Sequence, residues 1–252
     1  MGLGVWSLMT ISLTWQPRQG PAHATRISDH DFSRFCNDIA TSPFVNEIDA
    51  IMSGYFASPQ QVASAAQLIN KLKANRPDIA YLCDPVMGDE GGLYIATETA
   101  QTIRTELLPI ADIIKPNISE LEWICGRKLN NNQEIAAATA HYPARIKLIT
   151  SAFAHEKDAT ANLLIDDNQI WLVEHPLLSE PVNGLGDLTA SLFFAHFLQD
   201  MPIKLALQNA TASVFDCLQY TLGEKANELQ LAQTQSFFTH PVSPVNLTCL
   251  QS

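Results

Sequence analysis

Ser58-Pro-Gln-Gln-Val-Ala-Ser-Ala-Ala-Gln-Leu-Ile-Asn-Lys-Leu-Lys-Ala74, then Ile79-Ala-Tyr-Leu-Cys83, then Asp84-Pro-Val-Met-Gly-Asp89, form one uninterrupted run. Ser58 is a helix cap, and Val62, Ala65, Ala66, Ile69 and Leu72 recur at helical spacing to make one apolar face. The five residues from Ile79 read as a buried strand that ends directly in a Pro- and Gly-punctuated acidic turn. With a short apolar strand from Asp49 to Gly54 just before it, the run is a β-α-β unit. It predicts an α/β fold, a three-layer arrangement with a mainly parallel sheet and helices on both faces, whose ligands bind beyond the carboxyl ends of the strands.

The pattern continues in both directions. On the amino-terminal side, Val5–Leu13 reads as a strand, within an apolar stretch from Met1 to Trp15 expected to be buried, and Ser28 with Asp31 opens a helix to Ala40. On the other side come a helix (Thr97–Leu108), a strand (Asp112–Lys115), helices from Asn117 to Gly126 and from Asn132 to His141, and a strand (Arg145–Thr150). A hairpin follows, Asn162–Ile165 with Ile170–Glu174 across Asp166-Asp167-Asn168-Gln169, and then helices from Asp187, from Ile203 to Tyr220 and from Asn227 to Gln235. No linker or charge run divides the chain, so residues 1–252 are expected to be a single domain, with a loosely packed tail over 237–252.

Composition narrows the function classes. A net charge of −11 with 46% hydrophobic and 16% charged residues describes a globular core and argues against a nucleic-acid surface or an anionic membrane as partner. The five cysteines are scattered and never C-x-x-C, which fits a reducing cytoplasm better than a disulfide framework or a zinc site. The seven histidines show no metal-ligand spacing, and His196, inside an apolar helix, reads as a satisfied core residue. The tryptophans are expected to pack rather than to stack on a ligand, with Trp15 bordering the mouth of the site.

The chemistry concentrates after strands. In Pro181-Val-Asn-Gly-Leu-Gly-Asp-Leu-Thr-Ala-Ser-Leu192, Gly184 and Gly186 let backbone N–H groups turn toward a common point, and Asp187 is a helix cap or first-turn residue. Such a turn stabilises phosphate charge through the helix dipole, and a carboxylate beside it is placed to take a proton from a hydroxyl. Asp84 and Asp89, Asn117 and Glu120, and Thr150 and Ser151 follow other predicted strands. Each has an ordinary account as a turn or cap. Together, carboxylates at Asp84, Asp89 and Glu120 beside an anion site suit Mg²⁺, which keeps much of its water and bridges to phosphates.

Cys83-Asp-Pro-Val-Met-Gly-Asp89, Lys115-Pro-Asn-Ile-Ser-Glu-Leu-Glu122, Leu148-Ile-Thr-Ser151 and Gly184-Leu-Gly-Asp187 resemble, in order and spacing, the motifs of pyridoxal kinases of the ribokinase-like superfamily. The similarity runs from about Gly4 to about Tyr220. No Walker-type G-x-x-x-x-G-K-[ST] occurs, so the chain is not a P-loop enzyme. The resemblance implies ATP-dependent phosphorylation of the 5′-hydroxymethyl group of pyridoxal, pyridoxine or pyridoxamine in vitamin B6 salvage, by a cytoplasmic homodimer. It implies Asp187 as general base, Gly184, Leu185 and Gly186 as anion hole, and Glu120 holding Mg²⁺ through water, with Asp89 and Asp84 near metal and phosphates. Asn117, Thr150 and Ser151 would line the ATP side, and Tyr94 would belong to a flap over the site.

Three departures accompany it. Relatives begin with a central strand and a Ser-His-containing loop that touches the pyridine ring, whereas Met1 here falls at the usual second strand. The loop Trp15-Gln-Pro-Arg18 alters the expected vitamin contacts. Lys115 stands where a small residue is usual, and its charge would offset phosphate. Two alternatives remain: a hydroxymethylpyrimidine-type kinase sharing the base and anion hole, and an impaired kinase-like protein that binds nucleotide without transfer.

Overall fold

The computed structural model describes residues 1–15, 20–167, 169–178 and 182–251. Gln16, Pro17 and Arg18 of the expected substrate loop, Asn168 of the hairpin turn and Pro181 lie outside the described residues. The chain forms two compact units, residues 4–114 with 142–144, and residues 1–3, 115–141 and 145–252.

The first unit begins with a small antiparallel pair, β1 (Ile11–Leu13) and β2 (Ala24–Arg26), followed by α1 (Asp29–Thr41), whose cap Ser28 accepts from the Asp31 N–H. β3 (Ala50–Ser53), α2 (Pro59–Asn75) and β4 (Ala80–Cys83) are the expected β-α-β unit, with β3 and β4 parallel. Ser58 caps α2 by accepting from the Gln61 N–H at 3.1 Å, Pro59 occupies the first turn, and the predicted apolar face is buried. Gln61 itself is fully buried, its amide donating to the Ile27 carbonyl at 2.9 Å and the Thr10 carbonyl at 3.3 Å while its oxygen accepts from the Ala57 N–H at 2.9 Å. One satisfied polar side chain thus ties the β1–β2 pair to α2. A tiny hairpin, β5 (Gly88–Asp89) with β6 (Gly92–Leu93), leads to α3 (Thr97–Thr102), a π-helical turn over Ile103–Leu107, and β7 (Ile113–Ile114), parallel to β4.

The amino-terminal expectation needs correcting. Only Ile11–Leu13 forms a strand, and Val5, Trp6 and Met9 are exposed at 82%, 53% and 59%. Apolar residues bury themselves only where a partner surface exists, and among the described residues β2 pairs with this segment over three positions alone. β3 has β4 on one side and no strand on the other among the described residues, which leaves Met52 45% exposed.

The second unit opens with α4 (Ile118–Cys125), closed by Gly126 at φ 69°, then α5 (Asn132–Thr139). β8 (Ile146–Ala152), β9 (Ala159–Asp166) and β10 (Gln169–Pro176) run antiparallel, followed by α6 (Leu185–Leu198), α7 (Ile203–Gly223) and β11 (Asn246–Gln251). Leu121, Ile135, Ile149, Leu163 and Leu172 belong to one buried cluster joining α4 and α5 to the strands. Truncating any one of these to alanine costs about 2–5 kcal/mol.

Two further expectations give way here. Residues 227–235 are not a helix: the chain turns and makes a short 3-10 segment at Gln235–Phe238. The tail is not loose, because β11 pairs antiparallel with β10 along its length. Asp216, on α7 and 3% exposed, accepts from the N–H groups of Val242 at 2.7 Å and Ser243 at 3.0 Å and fixes the approach to that strand. His196 is buried on α6 as expected but not satisfied, since neither ring nitrogen has a hydrogen-bond partner among the described residues.

Candidate active site

Most of the predicted site residues lie in the second unit, and its backbone brings them together. Gly184 takes φ 90° and ψ 0°, a left-handed conformation that costs glycine little, and from it α6 starts at Leu185. Asp187 is therefore the third residue of the helix rather than its cap. The first intrahelical bond runs from the Leu188 N–H to the Gly184 carbonyl at 2.9 Å, and no side chain caps this end. The N–H groups of Leu185, Gly186 and Asp187 precede that bond and form an anion-binding turn. Asp187 is exposed, and among the described residues its carboxylate makes no hydrogen bond or ion pair.

The Pro-Asn stretch meets this turn. Asn117 caps α4 with a reciprocal box: its Oδ1 accepts from the Glu120 N–H at 2.8 Å, and Glu120 Oε2 accepts from the Asn117 N–H at 2.8 Å. Glu120 is 3% exposed, so its carboxylate is held in one orientation. Asn117 forms a parallel bridge to Thr150, whose N–H donates to the Pro116 carbonyl at 3.1 Å. Immediately after Thr150 the register of β8 shifts, and Ser151 adopts φ 56°. Such a bulge re-aims a side chain, here leaving Ser151 exposed between buried Thr150 and Ala152. Lys115 is 3% exposed, and its Nζ lies 3.6 Å from the position a Cβ on Gly186 would occupy. Asn117, Glu120 and Thr150 are thus linked by hydrogen bonds and a bridge, and the Lys115 Nζ lies near Gly186 of the Gly184–Asp187 turn, all within one unit.

The remaining predicted residues lie in the first unit. Asp84 follows β4, 4% exposed, with its N–H donating to the Ser53 carbonyl at 3.0 Å. Asp89 is in the β5–β6 hairpin and accepts from the Gly91 N–H at 2.8 Å. Tyr94 leaves that hairpin 54% exposed, its N–H bonded to the Met87 carbonyl at 3.1 Å. Gly88 is required there, because an added Cβ would lie 2.7 Å from the Gly92 carbonyl oxygen. Trp15 is 47% exposed.

Sequence reasoning missed Leu229, whose Cδ1 lies 3.5 Å from the Cβ position of Gly184, so the segment after α7 returns to the anion turn. Its only sequence signal was an apolar residue among polar neighbours. Among the described residues, no three His, Cys, Asp or Glu side chains gather as a metal-ligating group.

The phosphomethylpyrimidine kinase family matches residues 6–230, and the pyridoxal kinase PdxY of Leifsonia xyli subsp. xyli is 30% identical over 248 residues, covering 96% of this chain and 87% of that protein. The chain belongs to this kinase family, among its pyridoxal kinases. The α/β, ribokinase-like architecture expected from the motifs is shared with solved relatives. The crystal structure of pyridoxal kinase from Entamoeba histolytica superposes with a TM-score of 0.88 at 21% identity, covering 96% of this chain and 87% of that one. Pyridoxal kinase from Leishmania donovani, solved in complex with ADP and pyridoxamine, gives 0.87 at 23% identity, with 96% and 88% covered.

Proposed function

We propose that the chain transfers the γ-phosphoryl group of ATP to the 5′-hydroxymethyl group of pyridoxal, pyridoxine or pyridoxamine, with Asp187 as the base. The observation that carries this reading is the end of α6, which has no side-chain cap and bears an exposed carboxylate at its third residue. Phosphoryl transfer asks little covalent chemistry of a protein, so donors that hold the equatorial oxygens and a base that accepts the alcohol proton supply the main requirements. The N–H groups of the Gly184-Leu185-Gly186 turn serve as those donors, and Asp187 takes the proton as the alcohol oxygen bonds to phosphorus. Asn117, Thr150 and the re-aimed Ser151 line the ATP side. Asp84, Asp89, Tyr94 and Trp15 keep the phosphate, metal, flap and substrate roles that their motifs imply.

Glu120 offers one buried, oriented carboxylate rather than a cage, which fits a Mg²⁺ ion carried by the nucleotide phosphates and held by the protein through water. When bound, Mg²⁺ neutralises charge on the phosphates. Glu120 and, by its motif, Asp89 are the residues that would hold it. A cytoplasmic homodimer completes the proposal; among the described residues no helix is long and apolar enough to cross a membrane.

ATP-dependent phosphorylation of pyridoxal by purified protein, beside Asp187→Ala, tests the reading. The family's own description favours one competitor, so a hydroxymethylpyrimidine is assayed as a second acceptor. Preference for that acceptor would reassign the substrate. ATP binding with no transfer to either acceptor would support a binding protein instead.

A further inference from the structure

We infer that Asn132 and Glu174 are positioning residues for the nucleoside triphosphate: together they clamp the segment after β8, so that Ser151 keeps the one conformation that presents its hydroxyl. The inference rests on the reading of Ser151 as part of the ATP side. Ser151 is the extra residue of the β8 bulge, since Thr150 pairs with Asn162 and Ala152 with Ala161. Its φ of 56° is a conformation that a residue with a side chain keeps only where its surroundings enforce it. On its amino-terminal side Thr150 is fixed by the Pro116 carbonyl and by the bridge to Asn117. On the other side the chain is fixed by two buried polar side chains that none of the roles assigned above employs.

Asn132 is 7% exposed at the start of α5 and gives its whole amide to the backbone of Phe153. Its Oδ1 accepts from the Phe153 N–H at 3.1 Å, and its Nδ2 donates to the Phe153 carbonyl at 2.8 Å. The helix does not need it as a cap, because Asn131 does that, accepting from the Glu134 N–H at 2.8 Å. Glu174 is 4% exposed in β10, whose backbone is paired on both sides, here with Ala161 and Asn246. Its Oε1 accepts from the N–H groups of His155 at 2.5 Å and Glu156 at 3.2 Å, and its Oε2 lies 3.5 Å from His155 Nδ1. A buried carboxylate is costly unless hydrogen bonds offset it, and these come from two successive exposed residues of the loop. Both clamps stand on regular elements of the same unit, so the bulge is pinned at each end. Without them Ser151 relaxes toward negative φ and its hydroxyl turns away from the nucleotide.

The test compares Asn132→Ala, Glu174→Ala, Glu174→Gln, Ser151→Ala and the double variant Asn132→Ala/Ser151→Ala with the parent. The readouts are the KM values for ATP and for pyridoxal, calorimetric ATP affinity and melting temperature. Calorimetry reads the ATP side whichever acceptor the enzyme prefers. Asn132→Ala, Glu174→Ala and Ser151→Ala are each expected to weaken ATP affinity and raise its KM about tenfold, the size of one lost hydrogen bond to a charged group. The pyridoxal KM should stay at its parental value. Glu174→Gln, whose amide oxygen still accepts from the loop, should recover most of the loss. The double variant should be no worse than Ser151→Ala, as when one residue acts through another. Parental ATP affinity in Asn132→Ala and Glu174→Ala, with a loss in Ser151→Ala, overturns the proposal and leaves the reading of Ser151 standing. Parental ATP affinity in Ser151→Ala overturns that reading itself. Additive losses in the double variant, or equal rises in both KM values with a lowered melting temperature, assign the clamps a structural role and also overturn the proposal. Should Glu174→Ala not fold, Asn132→Ala, which leaves the α5 cap in place, decides alone.

Discussion

Asn117 and Glu120 hold each other through two reciprocal bonds of 2.8 Å, each side chain accepting from the other's backbone N–H. The carboxylate proposed to hold Mg²⁺ is therefore also half of a helix cap, and the two duties separate by substitution. In Glu120→Gln the amide oxygen still accepts from the Asn117 N–H, but the charge is gone. The Mg²⁺ concentration for half-maximal rate should rise, with the melting temperature little changed. In Glu120→Ala the bond to the Asn117 N–H is lost as well, although Asn117 still caps the helix, at a cost of about 1 kcal/mol. A magnesium titration that does not move in Glu120→Gln would remove the residue from the metal's surroundings.

Asp187 is exposed and its carboxylate makes no hydrogen bond or ion pair among the described residues, so removing that side chain should barely disturb the fold. Asp187→Ala is expected to lose about 10²–10⁴-fold in kcat, the range for a positioned general base, while ATP binding measured by calorimetry persists. Loss of both together would reject the assigned role.

Gly88 and Gly91 lie in the same hairpin but differ in what a methyl group would meet. At Gly88 it is the Gly92 backbone oxygen at 2.7 Å, which cannot move without opening the turn; at Gly91 it is a terminal side-chain oxygen of Asp89 at 3.1 Å. Gly88→Ala should destabilise by about 1–3 kcal/mol and displace Tyr94. Gly91→Ala should be tolerated, because a side chain can swing aside. Equal melting temperatures for the two variants would contradict this account.

Burial holds the pKa of His196 below its ordinary 6.5, so the native state keeps the ring neutral while the unfolded chain takes up a proton below that pH. The stability linked to the neutral ring is fully present above pH 6.5 and is lost as pH falls toward the depressed folded value. His196→Leu removes two buried nitrogens without partners and should stabilise by about 1 kcal/mol at neutral pH. Its advantage over the parent should widen on acidification in urea melts at pH 7.5 and 5.5. A constant difference across that range would refute the linkage.

The parts of the site that could be read from the sequence are those built by local rules. Asn117 with Glu120 three residues on is a cap written in the chain, and Gly184 marks a turn whose φ of 90° suits few other residues. The β-α-β run from Asp49 to Cys83 is legible for the same reason, through a cap and a helical stripe. Features set by distant partners were not. β11 carries Pro241 and Pro244 just before it, so it looked like a tail; its strand depends on β10 and on Asp216, which lie far back in the chain. Val5, Trp6 and Met9 have strand-like character, but propensity cannot supply a neighbouring strand. Leu229 reaches Gly184 only because the segment after α7 folds back, and no periodicity marks that.

The pairing of β11 with β10 also sets an order of events. Both α6 and α7 lie between these strands in the chain, so β11 docks only after a long loop closes, which is entropically costly and slow compared with the neighbouring β9–β10 hairpin. During that interval β10 presents an open row of N–H and C=O groups, a template for a strand from another chain. Refolding at high protein concentration therefore sets docking of the chain's own β11 against capture of a foreign strand, and dilution favours the native outcome.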